Sequence, residues 1–152
     1  MKNLSLILIL LISSCSYKAK VLRCVDGDSF YIEGGKEIRI WGADCPEWTR
    51  GHNQPFGNVA TKFTRQLIEG KEVTLIVKAH DRYHREVDKV ILADGSDLSL
   101  LLIKAGLAFT YDKYDPQSYC NEERKAKYNH VGLWAQSGYI QSPYLFRKQF
   151  KK

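Results

Sequence analysis

The chain has 152 residues, and its 23 lysines and arginines outnumber its 17 aspartates and glutamates, so its formal net charge is +6 at pH 7. This length allows one domain with a substantial core and not two. The excess positive charge favours anionic partners such as nucleic acid or anionic lipid headgroups, although it also serves solubility alone. No pair of cysteines or histidines has the spacing of zinc ligands, which argues against a tetrahedral zinc site.

The first residues are typical of a secretory signal. Lys2 precedes an apolar stretch over residues 4–12, which has the ~7–15 residues of a signal peptide and falls short of the ~20 that a membrane-spanning helix needs. The segment Ile12-Ser13-Ser14-Cys15 is similar to a bacterial lipobox, where the chain is cut before a cysteine that then carries lipid. We therefore predict a signal peptide over residues 1–14 and lipidation of Cys15. An ordinary signal peptide cut elsewhere is the alternative.

This interpretation predicts a protein of the cell envelope, anchored to a membrane through Cys15, with the outer membrane as a candidate, or else secreted. Residues 15–20 would form a short polar tether between the lipid and the domain. Cys24, Cys45 and Cys120 then remain, so at most one disulfide can form within the chain, and the sequence does not select the pair.

The first half of the domain reads as a hairpin that gathers carboxylates. Residues 21–25 and 29–32 have strand character on either side of the turn Asp26-Gly27-Asp28, and two glycines in residues 33–36 indicate a hairpin turn. This hairpin places Asp28 across from about residue 41 and Asp26 across from about residue 43. Asp26, Asp28 and Asp44 should therefore lie at one end of it, where a metal ion or arginines must compensate their repulsion.

The strand that follows can aim an arginine at these carboxylates. Ile38 and Ile40 alternate with Arg39 at the strand period of two, so Arg39 faces away from the core if the isoleucines face it. Pro46 lacks a donor and ends the strand. Glu47 thereby follows in a loop next to the carboxylate cluster.

Later elements complete a small barrel. We predict a helix over residues 55–70, strands over residues 72–78 and 87–92, a helix capped by Asp97, and a helix over residues 121–127 capped by Asn121. The apolar stripe of the first helix consists of Phe56, Val59, Ala60, Phe63 and Leu67. About five strands with three helices fit a mainly β, five-stranded Greek-key barrel of the OB type. The barrel domain would span residues 21–136, and residues 137–152 would form a C-terminal extension.

Four segments carry a resemblance to a known family. Residues 25–29, Arg39 with residues 44–47, residues 81–85 and residues 132–134 closely resemble the thermonuclease family of staphylococcal-nuclease-like proteins. Each motif alone is weak, because Asp-Gly-Asp is a common turn. Their order and separations match from about residue 21 to residue 134, which makes the combined signal strong.

The resemblance implies an OB barrel and calcium-dependent cleavage of DNA and RNA that leaves 3′-phosphate ends. By position, Asp28 and Asp44 resemble the two carboxylate ligands of calcium, and the backbone carbonyl of Cys45 stands where the family uses that of a threonine. Calcium prefers six to eight oxygen ligands, so these donors leave room for water and a substrate phosphate.

The resemblance also assigns the chemical step. Glu47 matches a glutamate that orients or deprotonates the attacking water, and the sequence does not separate these roles. Arg39 and Arg85 match two arginines that bind the phosphate. Substrate binding would fall to the following tyrosines: Tyr83, Tyr111 and Tyr114.

Two departures affect the loop around Arg85. His84 and Glu86 stand where the family pattern has glycines, so Glu86 could compete for Arg85.

Two other functions stay open: a non-catalytic OB module that binds nucleic acid or an envelope component, and a structural lipoprotein that holds calcium for stability alone. Arg39 by itself could also be a structural ion pair with Asp44 or Glu47. We expect Asp26 and Asp81 to be turn-formers, and the protein to be a monomer.

Overall fold

The computed structural model describes residues 15–49, 51–111, 113 and 117–150. The predicted signal peptide and Tyr114 lie outside the described residues. The elements in chain order are β1 Ser16–Cys24, β2 Ser29–Ile32, β3 Glu37–Ile40, β4 Ala43–Asp44, β5 Trp48–Thr49, β6 His52–Asn53, α1 Gly57–Ile68, β7 Glu72–His80, β8 Glu86–Ile91, α2 Leu98–Lys104, β9 Phe109–Thr110, α3 Cys120–Tyr128, a 3₁₀ turn Gly132–Ala135 and α4 Pro143–Lys148.

Five strands close into a barrel in the order β1-β2-β3-β8-β7. β1 pairs antiparallel with β2 and with β7, and the parallel pairing of β3 with β8 completes the closure. The side chains that fill the interior, among them Phe30, Ile38 and Leu75, are inaccessible to solvent. The predicted OB-type barrel is confirmed. It carries a fourth α-helix, α4, that the sequence analysis did not predict.

The hairpin of β2 and β3 lies one residue from its predicted register. Ser29 pairs with Arg39 and Phe30 with Ile38, and Ile40 N donates to Asp28 O at 2.9 Å. The hairpin keeps Ile38 and Ile40 in the core and turns Arg39 toward the side where Asp28 lies.

The prediction of a tether over residues 15–20 is wrong for Ser16–Lys20. These residues belong to β1 and pair with β7, from Ser16 opposite Ile76 to Lys20 opposite Glu72. Tyr17 and Ala19 pack against the core, whereas Lys18 and Lys20 alternate with them and are exposed. The two lysines gave the segment its polar character, although the alternation is that of a half-buried strand. Cys15 O accepts a hydrogen bond from Val77 N at 3.0 Å, so the barrel begins directly at Cys15.

Helix α1 is confirmed, and Phe56, Ala60, Phe63 and Leu67 of its predicted stripe pack in or against the core, whereas Val59 does not. Ala60, Thr64 and Ile68 are fully buried, whereas Val59 is 43% exposed. The true face includes small and hydroxylated residues, which a search for apolar side chains passes over. Thr64 Oγ1 satisfies its hydrogen bond by donating to Gly27 O at 2.7 Å, which ties α1 to the turn that carries the carboxylates.

Helices α2 and α3 differ in how they begin. Asp97 caps α2 as predicted, because its side chain accepts from Ser99 N at 2.9 Å. Asn121 does not cap α3, which begins at Cys120. The preceding Tyr119 is buried and donates its hydroxyl to Asp97 Oδ2 at 2.7 Å, so packing sets the start of α3. No helix in the described ranges has both the length and the apolarity to cross a bilayer.

Candidate active site

The guanidinium of Arg39 bridges two buried carboxylates. Its Nη1 lies 2.6 Å from Asp28 Oδ1 and its Nη2 lies 2.7 Å from Asp44 Oδ1. Asp28 and Asp44 are each only 3% exposed. Although burial disfavours the charge on Arg39, these carboxylates raise its pKa above the ordinary value. The structure thus brings together Asp28, Arg39 and Asp44 and fixes their orientation.

Hydrogen bonds in and around the turn before β2 hold Asp28 in place. Asp28 Oδ2 accepts from Cys45 N at 2.7 Å, and Asp28 Oδ1 accepts from Ser29 Oγ at 3.3 Å. Asp26 Oδ1 accepts from Asp28 N at 3.0 Å, which is the contact of the turn-former that we expected. Burial, and next the charge of Asp28, raise the pKa of Asp26 to about 8.

Cys45 turns its side chain into the core and its backbone toward the site. Its thiol is free and buried, and burial raises its pKa. A Cβ on Gly27 would lie 2.7 Å from Cys45 Cβ and 2.9 Å from Ala60 Cβ, so only glycine fits there. Cys24 is also a buried free thiol, so neither cysteine forms a disulfide.

Glu47 lies in the loop after β4, and Gln54 holds its backbone. Glu47 N donates to Gln54 Oε1 at 3.0 Å, and Gln54 N donates to Glu47 O at 2.9 Å. Gly57 at the start of α1 packs against the same carbonyl, since a Cβ there would approach Glu47 O to 2.4 Å. Burial raises the pKa of the Glu47 carboxyl, and the hydrogen bond from Arg147 opposes that shift.

Arg147 is a site residue that the sequence analysis missed. Its Nη1 lies 2.5 Å from Glu47 Oε1 and 3.0 Å from Asp44 Oδ1, and its Nη2 lies 3.0 Å from Asp44 Oδ2. The predicted C-terminal extension is therefore not peripheral, because its helix α4 reaches the site. Ser142 before Pro143 is a helix-start signal that could have revealed α4, and Ser142 Oγ accepts from Leu145 N at 3.4 Å.

Arg85 is held by two carboxylates, and the predicted competition from Glu86 is wrong. Arg85 Nε lies 2.8 Å from Asp81 Oδ2, and Arg85 Nη1 lies 2.9 Å from Glu37 Oε1. Asp81 also accepts from the backbone N–H of Arg85 at 3.0 Å, as a turn-former. Glu86 instead accepts from Tyr17 at 2.7 Å and contacts Lys36, because neighbouring positions at a strand start face opposite sides.

His84 has the backbone conformation for which glycine is suited. Its φ is 64°, in the left-handed region. Glycine adopts this conformation freely, whereas a histidine side chain is strained there.

One cleft of about 580 Å³ collects the polar groups. Arg39, Glu47, Arg85 and Arg147 all line it. The aromatic residues around the cleft are Tyr83, Tyr111 and Tyr144. Of the predicted substrate-binding tyrosines, Tyr83 is 62% exposed and Tyr111 has its ring centre 5.5 Å from Arg39 Cζ. Tyr114 lies outside the described residues.

The carboxylate oxygens of the site are ligands suited to a hard cation, although in this structure they accept hydrogen bonds from arginines. Among the described residues no group of three or more His, Cys, Asp or Glu side chains is arranged to hold a metal ion. Asp28 and Asp44 nevertheless converge on one positive group, and carboxylate oxygens are the ligands that calcium prefers. Asp28, Asp44 and Glu47 exceed Arg39 and Arg147 by one negative charge. A cation bound between the aspartates would take over contacts that the arginines make.

Comparisons with known proteins agree with this geometry. The family described as "Staphylococcal nuclease homologue" matches residues 37–136. A protein of Escherichia coli O157:H7 named "Uncharacterized endonuclease" is 29% identical over 135 residues, which cover 84% of this chain and 83% of that protein. One of the same name in Haemophilus influenzae is 32% identical over 155 residues, covering 96% and 83%. "Endonuclease YncB" of Bacillus subtilis is 28% identical over 130 residues, covering 78% and 62%.

The matched segment includes β3 with Arg39, the loop with Glu47, and Arg85, and it supplies three strands of the closed five-stranded barrel, β3, β7 and β8. The chain therefore belongs to the staphylococcal nuclease homologue family and is a nuclease, a hydrolase of phosphodiester bonds in nucleic acid.

Proposed function

We propose that this nuclease is calcium-dependent, hydrolyses both DNA and RNA, and leaves 3′-phosphate ends. The observation that supports this most is the bridge of Arg39 between Asp28 and Asp44, with Glu47 and Arg85 lining the same cleft. The nuclease relatives favour catalysis over the two non-catalytic alternatives. The ion, the products and the residue roles remain our proposal.

Asp28, Asp44 and the backbone carbonyl of Cys45 would hold the calcium ion. When bound, calcium supplies positive charge to the scissile phosphate. Arg39 and Arg85 then donate to phosphate oxygens, and their planar guanidinium groups match the charge that grows in the transition state. The aromatic faces of Tyr83 and Tyr111 are placed at the cleft to contact the nucleotide.

Glu47 positions a water molecule and accepts its proton. Burial raises the pKa of this carboxyl, which brings it closer to the working pH of a general base. The water oxygen bonds to phosphorus, the bond from phosphorus to the 5′ oxygen breaks, and that oxygen leaves with a proton from solvent. The phosphate stays on the 3′ oxygen.

The test is cleavage of single-stranded DNA and RNA by the purified protein, with calcium and with a calcium chelator. We expect both polymers to be cut only with calcium. We also expect DNA products that terminal transferase extends only after phosphatase treatment. Cleavage that persists in chelator would contradict calcium dependence, and products that are extended directly would contradict the 3′-phosphate ends.

We further propose that Cys15 carries lipid and that the protein acts at the cell envelope as a monomer. Cys15 is exposed and directly precedes β1, so a lipid there would hold the barrel against the membrane surface without a spacer. Metabolic labelling with a palmitate analogue should mark the wild type and not Cys15→Ala. Equal labelling of the two would contradict lipidation at this position.

A further inference from the structure

The C-terminal helix α4 presents one guanidinium to two carboxylates of the site. Arg147 makes its three hydrogen bonds to Asp44 and Glu47 with a side chain that is 31% exposed. Both oxygens of Asp44 accept from it. The contact joins residues 100 and 103 positions apart in the chain, so it depends on how the C-terminal segment docks.

That segment is anchored by contacts of its own. Gln54, which also holds the Glu47 loop, donates its Nε2 to Gln141 O at 3.1 Å. The rings of His52 and Phe150 are in contact, with their centres 3.8 Å apart and their planes tilted by 34°. The segment that carries Arg147 thus contacts residues near Glu47 both before and after Arg147 in the chain.

We propose that Arg147 is a positioning residue of the nuclease site, which holds Glu47 beside Asp44 and competes with the divalent cation for Asp44. The inference rests on the proposed function, because it takes Glu47 as the group that handles water and Asp44 as a cation ligand. It adds a third arginine to the two that the family resemblance assigns.

The positioning follows from the geometry of the fork. A carboxylate on a loop can adopt several rotamers, and water must meet it in one of them for attack in line with the leaving group. Arg147 Nη1 touches Glu47 and Asp44 at once, so it sets the carboxylate of Glu47 relative to a cation ligand. Loss of such a supporting contact typically lowers activity ~10–100-fold.

The competition follows from the two Asp44 oxygens. A cation that binds Asp44 must share oxygens that already accept hydrogen bonds from Arg147, and it also meets the repulsion of a like charge. Removing Arg147 should therefore strengthen cation binding while it slows the reaction. A merely structural role predicts that both properties weaken together, because a loosened site holds neither the ion nor Glu47.

The experiment compares Arg147→Met, Arg147→Lys and the control Arg65→Met. Methionine keeps an unbranched apolar stem without the guanidinium, and lysine keeps the charge without the planar guanidinium. Arg65 lies on α1, and its side chain is 50% exposed in an ion pair with Glu69. Three quantities are measured: kcat and KM on single-stranded DNA with calcium, the affinity for terbium by its luminescence, and the melting temperature.

We expect Arg147→Met to lower kcat about 10–100-fold with KM within about threefold, and to bind terbium at least about threefold more tightly. Arg147→Lys should fall between this variant and the wild type in both quantities. Arg65→Met should match the wild type. A kcat within threefold of the wild type, or terbium affinity that is unchanged or weaker, would overturn the inference.

Failure of the proposed function would look different. If the wild type did not cleave, or if Glu47→Gln left the rate unchanged, the assigned chemistry would be wrong. The terbium titration would still test whether Arg147 competes with the cation for Asp44, because it does not require catalysis.

Discussion

Arg39 and Asp28 face each other across the β2–β3 hairpin, with Arg39 Nη1 at 2.6 Å from Asp28 Oδ1. The second nitrogen of the same guanidinium contacts Asp44, so one planar group spans two carboxylates that are both buried. A lysine ammonium is a point charge and reaches such a pair less well. The relationship therefore depends on the shape of the arginine and on its charge together.

We predict that Arg39→Lys lowers kcat by about 10²–10³-fold, the usual effect of losing one donor to a developing negative charge. The ammonium keeps the charge near Asp28 and Asp44, so the protein should remain folded. Arg65→Lys on the exposed face of α1 serves as the control. A folded Arg39→Lys variant with at least a third of wild-type kcat would show that the bridge is structural only.

Arg85 and Glu86 are neighbours for which we predict opposite outcomes. Arg85→Ala removes a cleft guanidinium and should lower kcat by about 10²–10³-fold. Glu86→Gln should change kcat by less than about threefold, because Glu86 contacts Tyr17 and Lys36 and not Arg85. Steady-state kinetics on single-stranded DNA measures both. A large loss of kcat in Glu86→Gln would show that Glu86 does influence Arg85, contrary to the contacts in the structure.

Asp88 makes stability depend on pH. Its carboxyl group is fully buried, and neither oxygen has a hydrogen-bond partner among the described residues. Burial, and next the charge of Glu86, raise its pKa to about 7, above the ~3.9 of an unfolded aspartate. The buried position favours the neutral form of the Asp88 carboxyl. The stability that Asp88 contributes is therefore complete below pH ~4 and is lost as the pH rises through about 7.

We therefore predict that the effect of Asp88→Asn on the free energy of unfolding is more favourable at pH 8 than at pH 4. The difference between the two effects should be on the order of 1–3 kcal/mol. Chemical denaturation at both pH values measures it. Asp94→Asn in an exposed turn removes the same charge, but a backbone hydrogen bond from Ser96 lowers the pKa of Asp94, so this variant should not gain stability at pH 8 relative to pH 4. An equal change in both variants would trace the effect to net charge and not to burial.

Gly27 lies between the two aspartates of the turn and leaves space for Cys45 and Ala60. An alanine would place its Cβ within 2.9 Å of both side chains, so the turn must move away from Cys45. We expect Gly27→Ala to lower the free energy of unfolding by ~1–3 kcal/mol and to reduce kcat through displacement of Asp28. Wild-type stability together with wild-type kcat would contradict this account of the turn.

Features that depend on near neighbours in sequence could be predicted. The alternation of Ile38, Arg39 and Ile40 and the Gly-Gly turn were enough for the hairpin, and Asp97 was readable as a helix cap. The outward direction of Arg39 followed from the strand period alone.

Features that depend on distant contacts could not be predicted. Arg147 reaches Glu47 because the residues on either side of a six-residue helix dock, Gln141 on Gln54 and Phe150 on His52, and no periodicity records that docking. The lysines at positions 18 and 20 made residues 16–20 look like a polar tether and not the start of β1, since only the alternate residues contact the core. The partner of Glu86 was misjudged because adjacency in sequence places strand neighbours on opposite faces.

The most direct test of the central claim measures DNA cleavage by the wild type and by Glu47→Gln, each with calcium and with chelator. Glutamine keeps the size of the side chain and cannot accept the proton of the attacking water. We predict chelator-sensitive cleavage by the wild type and a rate at least about 100-fold lower for Glu47→Gln, with both proteins folded. No cleavage by the wild type with calcium, or a Glu47→Gln rate within threefold of the wild type, would contradict the account.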